Sequence, residues 1–546
     1  MTCNKRIFFS FFFFSVCVYF YATAQQHYSA VQQPESNSSA AGIIAETNAA
    51  SSIINSSPGL VATGTAAESN AVMSEAYWKL WNPEVQAKID RDIDQNRKAN
   101  AVLQLKNVGK GTEVKVEQIS HDFIFGASIF NFNQLGTPEM NQKYRDLFGT
   151  LFNSATIPFY WKTFEMQPDR LRFREEYWDT EDYWNRVAEP EREPHWRRPA
   201  TDPIVEFCES KGIRLHGHTM IWGNRQWQHP EWLFDQFCPA DEKEKLNKFS
   251  KEALYKLTPA QIEELAPVYF KEMKRLFQKR IVELADHYRG RINSWDVVNE
   301  SATDYHGQSV TGDVVCKSNY GLMPGDYIYE AFRTADLELP KYVKLNINDY
   351  ANNEHYANQV KDLLAHGCRI DIMGSQMHLF DPQQSLDIAA GKPIESPQQV
   401  WDKMATLSKA GLPIHLSEIT ITSPHDDERG GEIQAVIARN LYRLWFSIKP
   451  MMGITWWNVV DGGGAPGEPS VSGLFTRNMK PKPAYYALDQ LINHEWKTNI
   501  TIQTDKDGKV KFRGFKGRYR VSWKDQSGRE QQAEFYLKEN GDGYHN

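Results

Sequence analysis

Between His121 and Asp461, short apolar and β-branched runs recur at wide intervals, each followed by a segment whose apolar residues return every third or fourth position. The runs are Phe123–Ile129, Phe152–Phe159, Ile213–Trp222, Ile292–Glu300, Val343–Tyr350, Asp371–Leu379, Pro413–Thr422 and Gly453–Asp461. They read as buried strands, and the longer periodic segments as amphipathic helices. Helices are expected at Asn141–Leu151, Pro267–Tyr288, Tyr327–Leu337, Glu354–His366, Pro397–Ala410 and Glu432–Ile448. Eight β-then-α units predict an α/β fold, a closed (β/α)8 TIM barrel over residues 121–490. Arg174–Ala200, rich in Trp, Tyr, Glu and Arg, interrupts the pattern between the second and third runs as an insertion expected at the top face or its rim.

The pattern changes at both ends. Residues 1–24 carry Lys5 and Arg6, an apolar run from Ile7 to Tyr21 and then Ala22-Thr23-Ala24, the layout of a secretory signal peptide. A membrane anchor is the alternative, but the run is short for a bilayer span. Residues 25–74 are Ser, Ala, Asn and Gln with few large apolar side chains, a low-complexity linker that cannot bury a core. In residues 75–120, Trp78–Asn100 has helical spacing, and Val102–Gln118 alternates around Gly109–Gly111 as a β-hairpin would. Residues 491–546 alternate again in TNITIQT, GKVKFRGF, GRYRVSWKD and QAEFYLK, separated by turn-forming DKDG, KG and QSG. This predicts a small all-β module whose strands pack with the Val102–Val116 segment.

Composition narrows the partner. A net charge of −7 argues against nucleic acid, which calls for a basic face. Aromatics make up 13% of the chain and include 16 Trp, whose flat faces suit sugar rings as well as a core. Beyond the leader stand Cys208, Cys238, Cys316 and Cys368, open to pairing in an oxidising compartment or to remaining free thiols. Their spacing fits no metal site, and no nucleotide-binding loop appears, so no cofactor is expected. A monomer without a membrane span after leader removal is expected, secreted to the periplasm or the cell exterior.

Two of the strand-like runs carry a single carboxylate near their ends: RINSWDVVNE ends in Asn299-Glu300, and PIHLSEITIT carries Glu418. Paired acids at equivalent places on two strands suit glycosidic-bond hydrolysis, which needs a proton donor and a nucleophile or base. WDVVNE, HGHTMIW (216–222), LNINDY (345–350), SQMHL (375–379), LSEI (416–419) and KPKPAYYAL (480–488) occur in the order seen in family 10 glycoside hydrolases, mostly endo-β-1,4-xylanases. The chain resembles that family over roughly residues 120 to 490. The resemblance implies a retaining hydrolase of xylan, with Glu300 as acid/base and Glu418 as nucleophile, the two carboxyls about 5–5.5 Å apart.

By the same resemblance, Asn299 contacts the sugar 2-hydroxyl, His218 and Lys162 the glycone sugars, and His378 the nucleophile, with Gln376 and Asn348 in the same polar ring. Trp222 and Trp457 match the family's site floor and wall, whereas Trp456 should point the other way into the core. The sequence departs from the family at several points. Pro158-Phe159 replace Glu-Asn, Gly223-Asn224-Arg225 replace His-Ser-Gln, Thr420 replaces an Asp that would hold His378, and GGGAPGEPSVSG lacks a lid Trp. The catalytic pair is intact while the glycone subsites are rewritten, which implies altered substrate choice. Phe159, Arg225 and Trp227 are candidates for new stacking, and Arg225 for contact with an acidic substituent. Alternatives are another β-linked polysaccharide as substrate, or a catalytically weak polysaccharide-binding protein; for the C-terminal module the alternative is carbohydrate binding.

Overall fold

The computed structural model describes residues 72–174 and 199–544, apart from 314, 319–320 and 466. The leader, nearly all of the linker and all but the ends of the Arg174–Ala200 insertion lie outside the described residues. Two strands open the fold, β1 (Lys98–Gln104) and β2 (Glu113–His121). Four barrel strands follow: β3 (Ile124–Ser128), β4 (Ser154–Pro158), β5 (Arg214–Trp222) and β6 (Ser294–Asn299). A small hairpin, β7 (Val315–Ser318) and β8 (Gly321–Pro324), decorates the loop after β6. The barrel closes through β9 (Lys344–Asp349), β10 (Ile372–Leu379), β11 (Ile414–Ile421) and β12 (Met451–Trp456), which returns to β3. All eight expected strands are present, pairing in parallel, and the expected helices lie between them. No helix among the described residues is long and apolar enough to cross a membrane.

Local chemistry explains the boundaries. Thr137 accepts from Met140 N and Pro138 fills the first turn of helix Pro138–Leu147, while Asp427 accepts from Gly430 N at the start of Glu428–Ser447. The Trp78–Asn100 stretch forms two helices, Glu75–Leu80 and Pro83–Arg97, because Asn82 caps the second and Pro83 cannot continue the first. Between the barrel and its surrounding helices, a small residue on one strand makes room for a large one on the next. Gly217 on β5 leaves room for the fully buried Trp295 on β6, whose ring would lie 2.2 Å from an added Cβ.

The expected hairpin around Gly109–Gly111 does not form. β1 pairs antiparallel with β14 (Lys509–Phe515), and β2 lies between β13 (Asn499–Gln503) and β15 (Gly517–Lys524), with β16 (Glu530–Leu537) at the edge. The two alternating strands pair with C-terminal strands instead of each other, and their apolar faces meet in one core: Leu103, Val114, Val116, Val510, Val521, Trp523 and Leu537. This sandwich is fastened to the N-terminal ends of the barrel strands, where Arg214 of β5 donates to the His121 carbonyl of β2 (3.3 Å) and the Asp122 N–H donates to Lys516 O (3.0 Å). It therefore lies opposite the strand ends that bear Asn299 and Glu300. Cys208, Cys238, Cys316 and Cys368 are free thiols.

Candidate active site

Side chains at the C-terminal ends of the barrel strands converge on one polar cluster. Asn299 ends β6, and Glu300 follows it in a left-handed backbone conformation (φ 53°), its N–H donating to Asn348 O at 2.7 Å. A non-glycine residue in that region stores strain of order 1 kcal/mol or more, sustained here by the surrounding strands. The following loop is pinned: Asp349 accepts from Ala302 N at 2.8 Å, and Gln359 Nε2 donates to Ser301 O at 3.1 Å.

Across the barrel mouth, Glu418 on β11 is almost wholly buried and receives converging donors. Asn348 Nδ2 donates to its Oε1 at 2.7 Å and to Asn299 Oδ1 at 2.9 Å; Ser417 Oγ in turn donates to Asn348 Oδ1 and fixes the amide's orientation. Gln376 Nε2 lies 3.2 Å from Glu418 Oε1 and 3.2 Å from Glu300 Oε1. His378 Nε2 is 3.5 Å from Glu418 Oε2, and His218 Nε2 is 3.8 Å from Oε1. Trp457 closes a wall: its ring is 5.2 Å from that of His218, and its N–H donates to Ile419 O at 2.9 Å. Trp222 ends β5 in register with Asn299, its ring 6.3 Å from that of Tyr160.

The structure thus brings Glu300, Glu418, Asn299, Asn348, Gln376, His378, His218 and Trp457 into one cluster, with Trp222 at its edge. Lys162 and Arg225 emerge on the same face but make other contacts. Lys162 Nζ lies 2.6 Å from Glu231, and the Arg225 guanidinium sits 4.5 Å over the Phe234 ring. Phe159, expected as a stacking surface, is a core residue instead. Its N–H donates to His218 O at 2.6 Å, and its buried ring packs 4.8 Å from Trp295 and 5.4 Å from Phe164. Trp456 is fully buried, with its indole N–H donating to the carbonyls of Asn458 and Ser472.

Burial dominates the electrostatics. It pushes the Glu418 carboxyl up to about 7; His218 and the Asn348 hydrogen bond pull it down, while Asp296 and Glu468 push it further up. His378 is driven down to about 4 by burial, against the pull of Glu468. Asp296, beneath the cluster, behaves oppositely. Burial works against its charge, but His216 Nε2 and His218 Nδ1, each 2.9 Å from Oδ2, outweigh it and hold the carboxyl well below the usual carboxylate range.

Asp296, His216 and Ser417 were not singled out from the sequence. The available signal was a charged residue inside the apolar WDVVNE run, where a buried acid calls for buried partners. Glu468, from the loop after β12, is held by Asn458 Nδ2 at 2.9 Å and by Ala465 N; Gly464 permits the contact, since an added Cβ would meet Glu468 Oε2 at 2.5 Å.

Two inward carboxylates at strand ends of a (β/α)8 barrel, bridged by an amide donor and walled by Trp and His, can protonate and attack an acetal carbon. Endo-1,4-beta-xylanase C of Paenibacillus barcinonensis is 26% identical over 411 residues, 68% of this chain and 31% of that protein. This chain therefore spans about a third of that relative's length. Endo-1,4-beta-xylanase B of Thermotoga neapolitana is 26% identical over 332 residues, 59% of this chain and 79% of that protein. Among solved structures, native xylanase 10B from Thermotoga maritima aligns with 21% identity and a TM-score of 0.46, over 68% of this chain and 96% of that one. The family model for glycosyl hydrolase family 10 matches residues 118–491, from β2 through the last barrel helix, and by that match the chain belongs to glycosyl hydrolase family 10.

Proposed function

We propose that this protein is a secreted, retaining endo-β-1,4-xylanase. The observation that carries the reading is the single Gln376 amide, 3.2 Å from both Glu300 and Glu418. The two nearest carboxylate oxygens are then no farther apart than twice that distance. That bound admits the roughly 5–5.5 Å carboxyl separation that double displacement uses. The leader at residues 1–24 supports export, and the two named xylanase relatives support xylan as substrate.

In this mechanism Glu418 attacks the anomeric carbon while Glu300 donates its proton to the departing glycosidic oxygen. The C–O bond to the leaving sugar breaks as the bond to Glu418 forms. Esterification removes the negative charge of Glu418, so Glu300, now ionised, can take a proton from water as its oxygen displaces Glu418. Asn299, held by Asn348 and Gln376, faces the 2-hydroxyl, and His218 and Trp457 bind the same sugar. Closure of the cleft over xylan expels water, and the donors around Glu418 then stabilise its ionised form.

The test is product release from unsubstituted xylan, glucuronoxylan, arabinoxylan and β-glucan by the intact protein and by Glu300→Ala and Glu418→Ala. Xylo-oligosaccharides formed first as the β-anomer, and lost in both variants, are the expected result. No release from any of the four, with binding retained, would overturn the reading in favour of a polysaccharide-binding protein. Product formed first as the α-anomer would overturn retention alone.

A further inference from the structure

Beside the cluster, on the same barrel face, lies a cavity of about 310 Å³ whose lining includes Lys162, Arg225, Glu231, Leu233, Phe234 and Tyr269. Its volume is at the lower end of the ~300–1,000 Å³ typical of ligand pockets, enough for a monosaccharide. Its position follows from the barrel: Lys162 stands four residues beyond β4 and Arg225 three beyond β5, the strand whose last residue, Trp222, is in register with Asn299.

The charges in the cavity do not cancel. Glu231 is matched by Lys162 at 2.6 Å. Arg225 has no acidic partner among the described residues; its guanidinium carbon sits 4.5 Å over the Phe234 ring. That stack holds the fork in place without using its N–H donors. A planar guanidinium with free donors matches a carboxylate, which it binds through two parallel hydrogen bonds. Phe234 lines the cavity as the ring beneath Arg225, with Leu233 and Tyr269 buried behind it. A ring-stacked cation without an acidic partner, in a cavity lined by both polar and apolar groups, is the complement of a sugar acid.

We propose that this cavity is a subsite for a uronic-acid side group of the polysaccharide, with Arg225 as its carboxylate anchor; this rests on the xylanase reading for the backbone. The probe is a xylo-oligosaccharide bearing one 4-O-methylglucuronic acid, compared with the same compound after reduction of its carboxyl to the alcohol. Binding is measured by titration calorimetry on the full chain carrying Glu300→Ala, so that neither probe is cut. The acid form is expected to bind about tenfold more tightly, the scale of a charge-assisted hydrogen bond. In Arg225→Gln that ratio falls to near one, and Arg225→Lys, which keeps the charge but loses the fork, gives an intermediate ratio.

Equal affinity of the parent for the two probes, or a ratio unchanged in Arg225→Gln, would overturn the proposal. Turnover of unsubstituted xylan by the wild type reports separately on the backbone reading, so failure of one is distinguishable from failure of the other.

Discussion

The Thr420 hydroxyl stands 2.9 Å from Nδ1 of His378, on the side of the imidazole away from Glu418. Burial keeps this histidine neutral down to about pH 4, so its ring carries a single N–H. Thr420 is fully buried and can donate its own proton to Nδ1, which leaves the ring's N–H on Nε2, 3.5 Å from Glu418 Oε2. The threonine thus does by tautomer selection what an aspartate would do by charge. Phe380, stacked 4.4 Å from the His378 ring at 11°, holds the ring plane.

Thr420→Val should therefore lower kcat roughly tenfold with a smaller effect on KM, the loss of about one hydrogen bond to Glu418. Thr420→Ser, which keeps the hydroxyl, should retain most of the activity. Steady-state kinetics on a soluble xylo-oligosaccharide checks both, and equal losses in the two variants would refute tautomer selection.

Activity should fall on the acid side with an apparent pKa near 7. Burial raises Glu418 to about 7, so below that pH the carboxylate proposed as nucleophile is protonated, and kcat/KM should drop about tenfold per unit. The stability consequence has the opposite direction. Between the unfolded carboxyl value and about 7 the folded state binds more protons, so stability falls as pH rises through that window. Glu418→Gln should raise unfolding stability by ~1–3 kcal/mol at pH 8 and leave it nearly unchanged at pH 4. Urea melts at the two pH values read the difference.

Gly217→Ala should destabilise the barrel by ~3 kcal/mol or more, because its Cβ would meet the Trp295 ring at 2.2 Å and a closed barrel cannot open one strand to relieve it. Adding Trp295→Phe, which shrinks the ring, should recover part of the loss. A double variant no more stable than Gly217→Ala would show that the strain lies elsewhere.

Arg280→Met should cost ~3 kcal/mol and reduce activity even where the fold persists. The buried Arg280 guanidinium donates to Met220 O at 2.7 Å, to Thr219 O at 3.1 Å and to Phe159 O, and removing it strands those carbonyls beside the segment that bears His218. Unfolding midpoints and kcat, measured on the same preparation, check the coupling.

The eight strands and the long helices were legible in the chain because hydrophobic period is a local property: a run buried on both faces, or a stripe every three or four residues, reads the same in any surroundings. Glu300, Glu418, Asn299 and Asn348 were legible for a related reason, since a polar residue at the end of an apolar strand on this fold projects into the mouth. Tertiary structure decided what depends on distant partners. The alternation of β1 and β2 required apolar cover and did not specify whose, and the cover came from strands some 400 residues later. Phe159 follows a strand end as the site residues do, yet the space beside Trp295 drew its ring inward. The Gln376 bridge, the Asp296 pair of histidines and the stack of Arg225 on Phe234 each join separate segments of the chain, and such contacts exist only once barrel closure has set the distances between those segments.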